Sequence, residues 1–303
     1  MYIVTYRKIF YAISALIIGA SVVSLALWGL NLGIDFKGGS LVEIEYSGVR
    51  PEASAITEKV NALSLGGASV RPTGETGFIV RMPTLTESDR VKVLSAIELA
   101  SPNEKFEVKR FNSIGPLIGK EAGQKALMSL ALVMICIVLF ITFAFRRVSE
   151  PVSSWKYGII AIVALMHDVL VPAGVFAFLG HFYSVEIDTL FVTALLVILG
   201  FSIHDTIVVF DRVRENIKLA HLYKEKKDFE HIVGESINQT FVRSINTSLT
   251  TILALVVLYF VGSESTRYFS LALIIGIVTG TYSSIFLGSP LLVTVEKWQN
   301  RKK

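Results

Sequence analysis

Long apolar runs separated by short charged blocks dominate this chain. Six runs reach about 20 residues or more, which is the length of helix that crosses the ~30 Å hydrocarbon core of a bilayer. They occupy residues 9–30, 122–145, 157–179, 188–210, 241–262 and 268–293. The pattern therefore predicts an α-helical polytopic membrane protein with six transmembrane helices.

The segment between the first two runs has the shorter periods of a folded α+β domain. Residues 41–46 alternate apolar and polar side chains as a half-buried strand does. Helices are predicted at 51–65 and 86–100, strands at 68–71, 77–82 and 106–111, and a turn at 72–74. The order β-α-β-β-α-β is the ferredoxin-like pattern.

Basic residues are distributed unevenly among the short loops. Sixteen Lys and Arg lie before the first run, after the last run or in the loops on the same side, whereas the opposite short loops hold only Arg267. Cytoplasmic loops carry the excess of basic residues, so both termini are predicted to be cytoplasmic. Residues 1–30 then form the N-terminus and first helix, 31–121 an extracytoplasmic α+β domain, and 122–303 the other five helices with a cytoplasmic loop at 211–240.

Composition agrees with a chain whose main surroundings are a lipid bilayer. Of the 303 residues, 52% are hydrophobic and 18% are charged, below the ~25% charged residues of soluble domains. The net charge of +4 does not indicate nucleic-acid binding, because no basic run is interleaved with aromatic residues. The single cysteine, Cys136, allows no internal disulfide. We expect no cofactor.

Ionisable residues inside the apolar runs are the strongest functional signal. His204 and Asp205 lie in the fourth run, and Arg243 lies near the start of the fifth. A charged side chain at the centre of a spanning helix costs at least ~2.5–3.5 kcal/mol on insertion scales, so such residues usually serve a function. The fourth and fifth runs are antiparallel, so Asp205 and Arg243 are predicted to pair at similar depth. A static salt bridge, or an Arg reaching lipid phosphates, is the alternative.

A second His-Asp pair, His167 and Asp168, lies in the third run. It is interpreted either as a second site of a proton relay or as a hydrogen-bonding pair that holds the neighbouring helix. A zinc site is disfavoured because a third protein ligand and the HExxH spacing are missing. No G-x-S-x-G elbow or Ser-Lys signature of a hydrolase is present, so no enzyme activity is expected.

Two further patterns concern helix packing and polarity. Small residues recur every fourth position in the sixth run, and they form either a seam for a partner subunit or an internal contact. These residues are Gly276, Gly280, Ser284 and Gly288. The first half of the fifth run is polar, and it either lines a hydrated path or bonds back to its own helix carbonyls. Its polar residues are Ser244, Asn246, Thr247, Ser248, Thr250 and Thr251.

A glycine-rich segment, Gly33-Ile-Asp-Phe-Lys-Gly-Gly39, follows the first run directly. Gly38 and Gly39 predict a tight reversal before the first strand, and Asp35 is expected to accept backbone N–H bonds in that turn. The segment is interpreted as structural. It is not a phosphate loop, because no helix follows it and the Walker spacing is absent.

Several motifs together resemble the SecF family, the smaller half of the SecD–SecF accessory of the bacterial Sec translocon. They are the glycine-rich segment, Ile114-Gly-Pro-x-x-Gly119, His167-Asp168, and the run from Ser202-Ile-His-Asp through Asp-Arg-Val-Arg-Glu-Asn216. The resemblance covers essentially the whole chain. It implies an RND-type bundle in the cytoplasmic membrane that uses the proton-motive force to assist export of unfolded secretory proteins.

The resemblance also implies partners and site residues. A six-span partner, SecD, forms the heterodimer, with the SecYEG channel and YajC as further partners. Proton passage is implied for Asp205 and Arg243; the position before this acid, commonly Asn in the family pattern, is His204 here. Two rival interpretations remain: half of an RND-class proton-driven exporter of small molecules or lipids, and a membrane scaffold without ion coupling.

Overall fold

The computed structural model describes residues 2–102, 104–146, 152–225 and 227–301. Arg147, Lys226, Lys302 and Lys303, which enter the comparison of basic residues, lie outside the described residues. The chain divides into two compact units. Residues 1–31 with 128–303 form one, here called the membrane unit, and residues 32–127 form the α+β unit.

The helices and strands are numbered in chain order. The helices are α1 (Tyr2–Thr5), α2 (Arg7–Trp28), α3 (Ile34–Lys37), α4 (Ala53–Asn61), α5 (Glu87–Ala100), α6 (Pro116–Ala144), α7 (Ser154–Tyr183), α8 (Thr189–Leu222), α9 (Phe229–Val261), α10 (Glu264–Tyr282) and α11 (Ser289–Asn300). A π-helix, Ser283–Gly288, joins α10 to α11. The strands are β1 (Gly39–Tyr46), β2 (Ser69–Thr73), β3 (Gly77–Met82) and β4 (Phe106–Ile114).

The α+β unit has the predicted ferredoxin-like topology. Its sheet has the strand order β2-β3-β1-β4, and every neighbouring pair is antiparallel. Helices α4 and α5 contribute Ile56 and Ile97 to the apolar core, where they meet strand residues such as Ile44. Burial of this continuous apolar surface is what stabilises the unit.

The edge strand β2 ends later than predicted, and the properties of Pro72 explain the difference. The turn was expected at 72–74, but β2 continues through Pro72, which pairs with Phe78 of β3. Proline cannot donate to a strand on both sides, and edge strands tolerate it for that reason. Because β2 lies at the edge of the sheet, the turn moves to the residues after Thr73.

The glycine-rich segment packs against the start of α6. Gly38 and Gly39 take φ values of 79° and 132°, which side chains disfavour. A Cβ on Gly38 would lie 2.6 Å from the Cα of Pro116, and a Cβ on Gly39 would lie 2.9 Å from the Met82 carbonyl oxygen. Asp35 lies in the first turn of α3, a one-turn helix that the sequence did not predict.

Six helices long and apolar enough to cross a membrane are found among the described residues, as predicted. They extend beyond the predicted spans. Helix α8 has 34 residues and continues to Leu222, and α9 has 33 residues and begins at Phe229, before the predicted fifth span. Lys224, after the end of α8, has a φ of 52°.

Helices α7, α8 and α10 form much of the interior of the membrane unit, whereas most of α6 and α9 is exposed. Small residues of α10 face α8: a Cβ on Gly276 would overlap the Ile198 side chain, and one on Gly280 would lie 3.0 Å from the Cβ of Ser202. Of the two interpretations of this stripe, the structure shows internal packing.

Two prolines disturb the helices of the membrane unit. Pro290 has no N–H to donate and its ring crowds the carbonyl four residues earlier, which lies in the π-helix. π-helical turns are rare in proteins, and those that occur are often found at functional sites. In α7, Pro172 follows Asp168 by four residues, so the Asp168 carbonyl lacks the usual helix bond from that position.

Candidate functional site

Asp205 is buried where three elements of the membrane unit meet. Its side chain projects from α8, and the residue is only 7% exposed. The hydroxyl of Ser244, on α9, donates to Oδ1 at 2.5 Å. The hydroxyl of Ser284, on the π-helix, donates to Oδ2. The acid is therefore held by neutral hydroxyl groups from two other elements.

Asp168 lies in a second, fully buried position on α7. Its Oδ2 accepts from the Ser202 hydroxyl, and from the Ser283 hydroxyl at 2.7 Å. Its Oδ1 lies 2.9 Å from Nδ1 of His167. Asp168 thus connects α7 to α8 and to the π-helix, whereas His167 is bonded to Asp168 of its own helix.

The buried surroundings of His167 favour one tautomer. Its Nε2 is buried and has no hydrogen-bond partner among the described residues. A proton on this nitrogen would be an unpaired buried donor, at a cost of ~1–3 kcal/mol. A proton on Nδ1, donated to the Asp168 carboxyl group, avoids that cost. The Tyr282 ring stacks on this imidazole with centroids 6.0 Å apart.

The two acids form one cluster because their partners are neighbours along the chain. Ser283 and Ser284 are consecutive, and the first donates to Asp168 while the second donates to Asp205. Ser202, a partner of Asp168, lies three residues before Asp205 on α8. We call these five residues the acid–serine cluster.

The polar residues in the first half of the fifth span differ in the groups that they contact. Ser244 and Ser248 are buried and face the interior, where the Ser248 hydroxyl lies 2.5 Å from that of Thr281. Thr247, Thr250 and Thr251 instead donate to carbonyls of their own helix at 2.9–3.0 Å. Only the serine side of α9 therefore lines the acid–serine cluster.

Arg243 does not pair with Asp205, which corrects the sequence-based expectation. Within the described ranges no ion pair joins them, and the Arg243 side chain is exposed. Successive residues of an α-helix point about 100° apart, because a turn holds 3.6 residues. Since Ser244 faces Asp205, its neighbour Arg243 points away from it. Similar depth in the membrane does not guarantee the same face.

His204 is also directed away from the acid that follows it. Its side chain is exposed, whereas Ile203 and Asp205 on either side are buried. The same helical rotation explains the difference. Among the residues that the structure describes, no three His, Cys, Asp or Glu side chains lie close enough together to hold a metal ion, and His204 is therefore not part of such a group.

The matches to family models decide the affiliation of the chain. Residues 95–298 match the model described as protein export membrane protein SecD/SecF, C-terminal, and residues 23–48 match the SecD/SecF GG motif. The chain belongs to the SecD/SecF family. The acid–serine cluster lies within the first match, and Asp35, Gly38 and Gly39 lie within the second.

Curated relatives in the SecD/SecF family match nearly the full chain. The protein translocase subunit SecF of Thermobaculum terrenum is 44% identical, over 99% of this chain and 94% of its own length. That of Anaerolinea thermophila is 39% identical, over 97% of this chain and 94% of its own length. The resemblance to SecF inferred from the motifs is confirmed.

Solved SecDF structures share the fold. The crystal structure of SecDF, a translocon-associated membrane protein from Thermus thermophilus, aligns with a TM-score of 0.82 and 32% identity over 99% of this chain. SecDF in its super-membrane-facing form gives a TM-score of 0.64 over 98% of this chain. This chain spans 39% and 38% of those two chains.

Family membership and the six spanning helices together describe a multi-pass membrane protein with an accessory role in Sec-dependent protein export. Sequence reasoning missed the roles of Ser202, Ser283 and Ser284 as partners of the acids. For Ser283 and Ser284 the sequence contains only a weak signal, which is two consecutive serines within an apolar run, shortly before Pro290.

Proposed function

We propose that this chain pairs with SecD and uses the proton-motive force to assist the outward movement of unfolded secretory proteins, with Asp205 as the group that takes up and releases the proton. Membership of the SecD/SecF family supports the export role. The observation that carries the proton role is a carboxyl buried in a spanning helix and held by hydroxyl groups alone among the described residues.

Hydroxyl partners suit a group that must exist both with and without a proton. A serine hydroxyl has one proton to donate and lone pairs that accept. Ser244 and Ser284 can therefore donate to an ionised Asp205 or accept from a protonated one. A fixed guanidinium partner has no acceptor and would favour the charged form alone.

Arg243 has a role in this proposal despite pointing away from the acid. It directly follows Val242 and precedes Ser244 on α9, so a rotation of α9 by one residue, about 100°, would exchange Ser244 for Arg243 beside Asp205. We propose that the ionised acid is neutralised by Arg243 in such a state. His204, exposed on the adjacent position of α8, would then modulate the pH at which the exchange occurs.

The proton-motive force is large enough for this task. One charge crossing the membrane potential is worth about 2.3 kcal/mol per 100 mV. Two conformations that differ by a few kcal/mol can be redistributed by that amount. His167 and Asp168 are proposed as a second proton-binding position within the same unit.

The proposal includes partners and orientation. The solved SecDF chain, of which this chain spans 39%, supports SecD as the partner that completes the assembly. SecYEG, YajC and unfolded clients are the further proposed partners. The uneven basic loops support cytoplasmic termini and an extracytoplasmic α+β unit. Membership of the SecD/SecF family supports a location in the bacterial cytoplasmic membrane.

The first prediction tests the role of Asp205 in export. Asp205→Asn keeps the side-chain volume and removes the titration, so it should insert and assemble yet lose stimulation of export by the proton-motive force. Export of a secretory precursor is measured in membrane vesicles with and without that force. The matched control is Asp211→Asn, an exposed acid on the same helix that pairs with Arg214.

The control should keep stimulation near that of the unmodified chain, since Asp211 is outside the acid–serine cluster. Normal stimulation in assembled Asp205→Asn complexes would remove the proton role. The buried acid would then be a static element that joins three helices.

A further inference from the structure

Each serine of the π-helix that serves an acid has two acceptors within reach. The Ser283 hydroxyl lies 2.7 Å from Oδ2 of Asp168 and 3.1 Å from the Gly280 carbonyl oxygen. The Ser284 hydroxyl is bonded to Oδ2 of Asp205 and lies 3.0 Å from the Thr281 carbonyl oxygen. A hydroxyl has a single proton, so each serine donates to only one of these acceptors at a time.

The two acceptors correspond to the two charge states of the acid. An ionised carboxylate takes the serine proton. A protonated carboxyl donates its own O–H to the serine oxygen, and the serine proton then turns to the backbone carbonyl. Neither state leaves a buried polar atom unpaired, and buried polar groups in proteins are almost always paired.

The two switches are not independent, because Ser283 and Ser284 are adjacent residues of one short element. The position of that element is fixed further by Ser289, whose hydroxyl donates to the Ser284 carbonyl at 2.7 Å across the wide turn. A shift of the π-helix that improves the bond of one serine therefore moves the other serine as well.

We propose that the Ser283–Ser284 pair couples Asp168 and Asp205 into one two-proton unit, so that the charge of one acid sets the proton affinity of the other. The inference rests on the function proposed above for Asp205 and for the position of Asp168, and it adds the residues that connect these two proton sites. Ser283 and Ser284 are positioning residues in this proposal.

Few other titratable groups face the two acids among the described residues. At Asp168 they are His167, on the same helix, and Tyr282, which stacks on the imidazole from α10 and whose hydroxyl donates to the Phe10 carbonyl at 3.0 Å. At Asp205, the described residues of α9 and of the π-helix present only Ser244 and Ser284 as polar partners. Arg243 and His204 point away from it.

The test separates coupling through the serines from repulsion between two charges through space. The full chain assembled with SecD in lipid is titrated while the infrared carboxyl stretching bands are recorded. Asp168→Asn and Asp205→Asn assign one band to each acid. The effect of Asp168→Asn on the titration midpoint of Asp205 is then compared with serines present and in the Ser283→Ala/Ser284→Ala background.

With the serines present, Asp168→Asn should shift the Asp205 midpoint by about one pH unit, the size expected of interacting sites. Most of the shift should vanish in the double-alanine background, and Ser283→Thr/Ser284→Thr should restore it because threonine keeps the hydroxyl. The control Ser270→Ala removes a buried serine of α10 that bonds only to the Thr266 carbonyl, and it should leave the shift unchanged.

A shift of equal size in the double-alanine background would overturn the proposal, since coupling through space does not need hydroxyls. If the double variant does not assemble, Ser283→Ala alone is measured. It removes the donor to Asp168 and keeps Ser284, the donor to Asp205, so the shift of the Asp205 midpoint should become smaller. An undiminished shift in this variant would also overturn the proposal. Loss of coupling with export still dependent on Asp205 would leave the proposed function standing. An Asp205 band that does not titrate would remove both.

Discussion

Both units of the molecule bury apolar side chains, but among the described residues only the membrane unit also buries carboxyl groups. In the α+β unit, Val42 and Ile44 of β1 and Val93 of α5 are fully buried, whereas Glu45 of β1 is exposed. The membrane unit exposes large apolar side chains such as Leu139 and Phe143 at 64% each. Its interior contains the acid–serine cluster.

The difference follows from the surroundings of each unit. In water the hydrophobic effect drives apolar side chains inwards, so the interior of the α+β unit is the source of its stability. In lipid that force between helices is missing, and close packing with hydrogen bonds between helices takes its place. The buried acids of the membrane unit contribute such hydrogen bonds between its helices.

The largest effect on stability is expected when apolar volume is removed from the core of the α+β unit. Ile44→Ala creates a cavity in its core and should lower the free energy of unfolding of this unit by about 2–5 kcal/mol. Pulse proteolysis of the full chain in urea measures it. The matched control Val49→Ala removes a side chain that is 79% exposed and should change little.

In the membrane unit, adding volume between helices should be the damaging change. Gly276→Ala places a Cβ against the buried Ile198 side chain, and overpacking of this kind costs about 1–3 kcal/mol. Thermal unfolding in detergent measures it. Gly200→Ala, whose Cβ meets nothing within 4 Å, is the control. Unaltered stability of Gly276→Ala would mean that α8 and α10 are less tightly packed than described.

The smallest predicted effect concerns a surface acid of the α+β unit. The hydroxyl of Thr86, the N-cap of α5, lowers the pKa of Asp89 from its ordinary value of 3.8, and Lys92 lowers that pKa further. Because the pKa of Asp89 is lower in the folded state than in the unfolded state, this carboxyl group stabilises the folded state at pH values above its ordinary pKa. The stabilisation is lost as the pH falls through the folded-state pKa. Stability should therefore decline below about pH 4.

Thr86→Val should weaken this acid dependence more than Lys92→Met does, because the Thr86 bond is the larger cause of the shift. Unfolding of the α+β unit is measured between neutral pH and about pH 2 for both variants. The reverse order would show that charge, and not the cap, controls the pKa of Asp89.

The sequence was sufficient for the parts of the fold that periodicity determines. The six spans and the β-α-β-β-α-β order follow from apolar runs and alternation, and both were confirmed. Helix ends were less accurate, since an apolar run does not extend over the polar end of a helix: α6 begins at Pro116, before the predicted span at 122–145. The β2 turn was misplaced because proline is compatible with an edge strand.

The candidate site was only partly predictable. A rare acid in an apolar run identifies Asp168 and Asp205 without any structure. Their partners depend on the rotation of each helix and on the π-helix before Pro290, which shifts the positions of Ser283 and Ser284. Neither quantity can be deduced from spacing alone, which is why Arg243 was assigned the place that Ser244 occupies.

The central claim is that a buried, hydroxyl-held acid of the membrane unit carries protons. The most direct measurement is proton flux into liposomes that contain the chain assembled with SecD, driven by an imposed potential and read by an internal pH dye. We expect flux for the unmodified chain and for Asp211→Asn, and flux reduced to the level of empty liposomes for Asp205→Asn. Equal flux in all three assembled proteins would contradict the central claim.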